Sequence, residues 1–250
     1  MKLYGQEKSN SEILSFIHKY VDSVKANKRD RYHDILSLFP EGNGSILDYG
    51  CGWGHFSIAL SEKGYNVSGQ DLSQNEIDIC NLVWGNHKNV IFEHKEIVEY
   101  KNSSFDYVLS NQVIEHVHNA GNYISQINRI LKKDGCLVIA LPNVMNPRHM
   151  MKCLNKNISN TLLNVSKDTL SNYNKTHDHI NAWDPVHFTR LISSVGFSFV
   201  EFIPMEGVAL PFMKVLPSYF YSRSKRLRNL SYTMAFKFRK VKDSQIRNFD

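Results

Sequence analysis

Apolar positions along this chain alternate between a helical and a strand-like spacing, and the alternation predicts its elements. Residues 11–25 place Ile13, Leu14, Ile17, Tyr20, Val21 and Val24 at helical intervals. A shorter helix is predicted over 32–39, ending before Pro40, since proline disfavours helical backbone in the residue ahead of it. Residues 45–49 read as a buried strand. Gly54 opens a helix through Glu62 that Gly64 closes, and a second strand follows over 66–70. Ser73 with Glu76 three residues on has the form of a capping box, so another helix starts there. Short strands are predicted over 90–93 and 105–110, then a helix over 123–131. Lys133-Asp134-Gly135 reads as a turn into a strand over 136–141 that Pro142 ends. After a long polar stretch, Asp184 starts a helix to Ser194, Val195-Gly196 stops it, and 197–203 and 231–239 are the last strands. Strands alternating with helices predict an α/β fold, a parallel sheet covered by helices on both faces.

Composition bounds the fold without changing it. With 250 residues and 42% hydrophobic content, the chain can bury one sizeable core and is read as a single domain over 1–250. Within it, 1–40 form N-terminal helices and 143–183 an unusually long link. Cys51, Cys80, Cys136 and Cys153 show no CxxC spacing, which fits neither a zinc site nor a dense disulfide framework and suggests a reducing compartment. The first residues lack the apolar core of a signal peptide. No run of about 18 uncharged apolar residues is found, so a cytoplasmic protein is expected, peripheral to the inner face of a membrane at most.

Charge is uneven. Of the net +6, residues 220–242 hold Arg223, Lys225, Arg226, Arg228, Lys237, Arg239, Lys240 and Lys242 with no acid, and the rest of the chain is slightly acidic. Such a basic segment suits an anionic membrane surface, a phosphorylated carrier or nucleic acid, or is a solvated face.

The chemistry is concentrated at Ile46-Leu47-Asp48-Tyr49-Gly50-Cys51-Gly52-Trp53-Gly54, with Asp71 seventeen residues later. Alternate glycines after a strand allow a sharp turn and close approach of a ligand to bare backbone. An acid ending the next strand of a βαβ unit is placed to grip a ribose diol. The dinucleotide fingerprint G-x-G-x-x-G requires glycine at position 55, which is His55. Asp48 would repel a pyrophosphate and suits a ligand with a cationic amino group. S-adenosylmethionine, with its sulfonium and α-amino group, meets that demand.

These nine residues with Asp71 resemble the first two motifs of the class I S-adenosylmethionine-dependent methyltransferases. Ser104-Phe105-Asp106-Tyr107-Val108 and Leu131 to Leu137 are similar to the family's fourth strand and its turn into the fifth. Ile114-Glu115-His116-Val117 resembles the ubiquinone-biosynthesis-type group of small-molecule O-methyltransferases. The resemblance covers residues 30–142 with specific motifs and 184–240 with weaker ones. It implies a Rossmann-like, mostly parallel seven-stranded sheet whose last strand, Ala235 to Lys240, is antiparallel. It also implies site roles. Gly50, Gly52 and Gly54, with Tyr49 between the acid and the loop, would let backbone approach the cofactor's methionine part. Asp48 would face the amino group and Asp71 the ribose hydroxyls. Leu72 would pack on the adenine, Glu96 would accept from the adenine amino group, and Asn111 and Gln112 would flank the transferable methyl.

Methyl transfer from a sulfonium is an in-line displacement that asks mainly for alignment. A hydroxyl acceptor also needs a base, a task suited to histidine. His116 leads, with His177 and His179 of Thr-His-Asp-His-Ile in the 143–183 segment as alternatives. That segment is expected to form an acceptor-side lid. His187, on the following helix, is read as structural, and no metal is predicted. The lid is rich in Asn, Ser and His, which favours a small hydroxylated or glycan acceptor, such as a sugar of a surface polysaccharide, over a quinone-pathway phenol. Two other classes stay open. An RNA methyltransferase would suit the basic segment. A DNA amino-methyltransferase would carry Asn/Asp-Pro-Pro-Tyr/Phe where this chain reads Ser-Asn-Gln-Val. A non-catalytic cofactor-binding protein would generally have lost the glycines or the ribose acid.

Overall fold

A computed structural model describes residues 1–27, 31–154, 157–171, 179–209, 219–220 and 229–245. A two-residue hairpin, β1 (Lys2–Leu3) and β2 (Gln6–Glu7), turns through Tyr4 and Gly5 at positive φ. The helices α1 (Asn10–Ala26) and α2 (Arg31–Ser37) precede the core. Then come β3 (Ser45–Tyr49), α3 (His55–Glu62), β4 (Asn66–Asp71), α4 (Gln74–Trp84), β5 (Val90–His94) and β6 (Phe105–Asn111). The chain continues through α5 (Ala120–Ile130), β7 (Leu131–Pro142), α6 (Pro147–Cys153), α7 (Ile158–Ser171), α8 (Pro185–Ser194), β8 (Phe197–Ala209), β9 (Tyr219–Phe220) and β10 (Ser231–Lys240).

The sheet runs β5-β4-β3-β6-β7-β10-β8-β9. The strands from β5 to β7 pair in parallel, and β10 inserts antiparallel between β7 and β8. The expected seven strands are all present, and the two-residue β9 extends the edge beyond β8. Period-two alternation sorts side chains onto the two faces. Leu137, Ile139 and Leu141 of β7 and Met234, Phe236 and Phe238 of β10 join the cluster under α5 and α8. Val138, Ala140 and Ala235, one residue out of phase, join the cluster under α2 and α3. Helix α1 packs with α4 around Ile17, Val21 and Ile79.

Several boundaries differ from expectation for local reasons. The expected turn at Lys133-Asp134-Gly135 is an irregularity inside β7. Phe105 pairs with Leu131, the next pair is Tyr107 with Cys136, and Asp134 takes a φ of 62°. Asn119 caps α5 by accepting from the Asn122 amide, so that helix starts earlier than its apolar spacing suggests. The capping box expected at Ser73 is half made. Ser73 Oγ accepts from the Glu76 amide, while Glu76 Oε2 is buried without a hydrogen-bond partner among the described residues. The reciprocal box forms at Ser9 and Glu12 instead. The 143–183 link is not structureless: it contains α6 and α7.

The basic segment also reads differently in three dimensions. Lys240 is 4% exposed; its Nζ donates to the carbonyls of Asn128 and Leu131 and pairs with Asp243. Lys237 Nζ donates to the Leu38 carbonyl and lies over the Tyr107 ring. These two cations tie β10 to its neighbours. Arg223, Lys225, Arg226 and Arg228 lie outside the described residues. Among the described residues, no helix is long and apolar enough to cross a membrane.

Candidate active site

Strand order reverses at β3, between β4 on one side and β6 on the other, and the crevice at such a switch point is where α/β sheets bind ligands. The loop leaving β3 is pinned there. The amides of Gly50 and Cys51 both donate to the Gln70 carbonyl at 2.8 Å. Gly50, Gly52 and Gly54 all have positive φ, at 78°, 51° and 75°. Their surroundings separate their roles. A Cβ on Gly50 would lie 2.5 Å from Val113, and one on Gly54 2.8 Å from the Phe92 ring. A Cβ on Gly52 would meet nothing within 4 Å. So Gly50 and Gly54 are glycines because the protein fills the space beside them, and Gly52 alone leaves bare backbone for a ligand.

Asp71 ends β4 and faces that bare backbone. Its Oδ2 accepts from the Gly52 amide at 3.0 Å and its Oδ1 from the Ser73 amide at 2.9 Å, and each oxygen keeps acceptor capacity for a hydroxyl. Asp48 lies on the α3 side of β3, 2% exposed, where Ser57 Oγ donates to it at 2.6 Å. Burial pushes its pKa up to about 7 against the Ser57 bond, with the Asp71 charge adding to the rise. A buried carboxyl held in this way gains from a cationic group brought beside it. Leu72 is 65% exposed, an open apolar surface next to the ribose acid. Asn111 Oδ1 and Gln112 Nε2, at the end of β6, are buried without hydrogen-bond partners among the described residues. Bare backbone, a diol acceptor, a buried carboxyl, an apolar shelf and two orphaned polar atoms fit a nucleoside with a cationic tail.

A family model described as a methyltransferase domain matches residues 20–201. The chain belongs to the class I S-adenosylmethionine-dependent methyltransferases. The ubiquinone biosynthesis O-methyltransferase of Bartonella tribocorum is 30% identical over 114 residues, 44% of this chain and 46% of that protein. The chain spans about half the length of the first curated relatives it matches. Among solved structures, the putative methyltransferase of Haloferax volcanii, in complex with the Trm112 activator, superposes with a TM-score of 0.61. It is 15% identical and is matched over 92% of this chain and 97% of that one. A putative S-adenosylmethionine-dependent methyltransferase from Listeria monocytogenes has a TM-score of 0.57 at 16% identity, over 87% and 99%. The fold class, the enzyme class and S-adenosylmethionine as cofactor all follow.

The Tyr49 ring stacks on Tyr123, with centroids 5.0 Å apart, so its side chain is part of the core. Glu96 is exposed and caps the short turn Ile97–Glu99.

On the acceptor side, the structure brings His116 and His179 together, rings edge-on with centroids 5.0 Å apart. His177 lies outside the described residues. His187 pairs with Asp184 at the start of α8, a structural role as expected. Beside these histidines stands Glu115, which the sequence offers as the carboxylate alternative to a histidine base. It is 1% exposed, and neither carboxylate oxygen has a hydrogen-bond partner among the described residues. Burial pushes its pKa up to about 7. Its carbonyl accepts from the amides of Ile180 and Asn181, which clamps the return of the 143–183 link onto the site. One ligand-capable atom each of Glu115, His116 and His179 lie within 4.8 Å of one another, a spacing that could hold one cation or a bridging hydroxyl.

Arg31 and His55 gave no sequence signal as site residues. The Arg31 charge acts on both Glu115 and His55 and stands 3.9 Å from Glu206. His55, the first residue of α3, stacks against Tyr32, and its Nδ1 is buried without a partner among the described residues. Burial pulls its pKa down to about 4, helped by Arg31, so it is neutral at physiological pH.

Two predictions follow from these groups. Asp71→Ala is expected to weaken S-adenosylmethionine binding by at least about tenfold, roughly 1.4 kcal/mol, in titration calorimetry. Wild-type affinity in that variant would remove the ribose assignment. The second concerns pH. Asp48 and Glu115 have folded pKa values raised to about 7 from 3.8 and 4.5. The folded state therefore holds protons that the unfolded chain has released. Their contribution is present in full below the unfolded values and is lost as pH rises toward 7, on the order of 3 kcal/mol for each group. The melting temperature of the cofactor-free protein is expected to fall between pH 5 and pH 8, and more shallowly in Glu115→Gln. Parallel profiles for the two proteins would show that the Glu115 carboxyl is solvated.

Proposed function

We propose that this methyltransferase is an O-methyltransferase whose small acceptor presents a hydroxyl to Glu115, His116 and His179. The observation that carries the reading is Glu115, a buried carboxyl with both oxygens unpartnered among the described residues, in the short helical turn Ile114–His116 that follows β6. A buried polar group in that condition is destabilising unless a ligand pairs with it. S-adenosylmethionine supplies an electrophilic methyl on a sulfonium. The acceptor oxygen forms the new C–O bond as the C–S bond breaks, and its proton passes to His116 or onward to Glu115. Asp71 and Gly52 would hold the cofactor's nucleoside side, Asp48 would face its ammonium, and Arg31, now 3.9 Å from Glu206, would be a cation for its carboxylate.

The relatives' names support a quinone-pathway phenol as the acceptor. A sugar hydroxyl of a surface polysaccharide rests on the polar composition of the 143–183 link alone, and the basic 220–242 segment adds less support now that Lys237 and Lys240 are structural. We therefore place the phenol first. The test is incubation of the purified chain with labelled S-adenosylmethionine and matched sets of phenols and sugar derivatives, read by label transfer and by mass. Transfer to phenolic oxygen supports the reading; transfer only to nitrogen, or to sugar oxygen, overturns it in its class or in its acceptor. Methyl transfer needs no Lewis acid, so EDTA treatment is expected to leave turnover unchanged. A loss restored by a divalent cation would assign the Glu115, His116 and His179 cluster to a metal instead.

A further inference from the structure

Glu206 holds a backbone conformation that its residue type does not favour. Where β8 meets β10, Ser231 pairs with Val208 and Thr233 with Met205, so β8 carries one residue more than its partner. Glu206 lies inside that bulge with a φ of 57°. Left-handed backbone costs a residue with a side chain about 1–2 kcal/mol. Glycine takes it freely, yet the glycine of this bulge is the next residue, Gly207. A bulge beside a ligand site re-aims a side chain, and strain kept at such a place points to what that side chain does.

The contacts of Glu206 say where it is aimed. Its Oε2 accepts from Thr233 Oγ1 at 2.6 Å, and Thr233 is 1% exposed, so the carboxylate is anchored from the β10 side. Thr233 is fixed in turn, its carbonyl accepting from the buried Ser231 Oγ at 2.6 Å. The other oxygen, Oε1, lies 3.9 Å from Arg31 Nη1 at the start of α2. Strand β8 runs parallel to β7, since each pairs antiparallel with β10. Thr233 pairs with Pro142 at the end of β7 as well as with Met205. Glu206 is therefore level with the carboxyl ends of the parallel strands, the edge on which the cofactor crevice opens. Arg31 acts toward that crevice: its charge is felt by His55 at the start of α3 and by Glu115 after β6. A guanidinium has five N–H donors in a rigid fork. Arg31 can keep one edge on Glu206 and present another to a carboxylate in the crevice.

We propose that Glu206 is a positioning residue for cofactor binding: anchored by Thr233 in the β8 bulge, it holds the Arg31 guanidinium toward the place of the cofactor's carboxylate. The proposal rests on the reading of Arg31 given under the proposed function.

Titration calorimetry with two ligands that share the adenosine and differ in the carboxylate tests it, and needs no acceptor. S-adenosylhomocysteine carries the amino-acid tail and methylthioadenosine lacks it. Arg31→Ala is expected to weaken S-adenosylhomocysteine binding at least about tenfold and to leave methylthioadenosine unchanged. Glu206→Gln keeps an acceptor for Thr233 and removes only the charge. It is expected to melt as the wild type does, to weaken S-adenosylhomocysteine about three- to fivefold, and to leave methylthioadenosine unchanged. In the Arg31→Ala background the same substitution should have no further effect, because the group it acts on is gone. A Glu206→Gln variant that binds S-adenosylhomocysteine normally, weakens both ligands alike, or adds its full loss to that of Arg31→Ala overturns the positioning role. The two ways of failing are distinct. An Arg31→Ala variant that does not tell the ligands apart removes the carboxylate reading and the proposal with it. One that does, beside an inert Glu206→Gln, removes the proposal alone.

Discussion

Gly52→Val is expected to bind S-adenosylmethionine at least about a hundredfold more weakly, close to 2.8 kcal/mol, and still to fold. Position 52 holds a φ of 51°, which strains a side-chain-bearing residue by about 1–2 kcal/mol. Among the described residues, its own chain neighbours aside, no atom lies within 4 Å of the added Cβ, so the new bulk enters the open crevice beside Asp71. Gly50→Ala is the counterpart. Its Cβ meets Val113 at 2.5 Å, so it should lower the melting temperature more than Gly52→Val does. Circular dichroism and calorimetry on the two variants separate the roles. Normal cofactor binding by a folded Gly52→Val would show that the loop is not the cradle.

Glu115→Gln and His116→Ala are each expected to lower turnover by about 10²–10⁴-fold with cofactor affinity nearly unchanged. The pH profile carries the sign. A base must be unprotonated, and burial holds the Glu115 carboxyl near pH 7, so wild-type turnover should rise with pH through that region. Glu115→Gln should abolish that rise. A loop-bracing role for His116 predicts weaker cofactor binding and a lower melting temperature, with the profile intact. If both variants turn over the true acceptor at full rate, alignment alone carries the reaction.

The parts of this enzyme that were legible in the sequence are those written in local spacing. Gly50, Gly52, Gly54 and Asp71 belong to one βαβ unit, and the strands from β3 to β7 announce themselves by short apolar runs. What stayed hidden depends on contacts between distant segments. The sequence cannot say that a Cβ at 50 meets Val113 while one at 52 meets nothing, so the three glycines looked alike. Glu115 was legible as a candidate carboxylate, but its burial depends on packing between distant segments, among them the return of the 143–183 link at Ile180 and Asn181. The lysines of β10 counted as surface charge, although Lys240 satisfies carbonyls at the end of α5 and the start of β7. Helix α7 buries no side chain, so no packing against the sheet announced it.

The 143–183 link begins and ends at one point. Asn143 bridges Trp183, and the Val144 amide donates to the Trp183 carbonyl. Everything between is an excursion whose closure is already made by the scaffold. The entropy of closing such a loop grows slowly with its length, by about 0.6 kcal/mol per doubling. The excursion can therefore be shortened, lengthened or exchanged with little effect on the sheet, making it an interchangeable cassette through which acceptor preference could diversify on a constant cofactor-binding body.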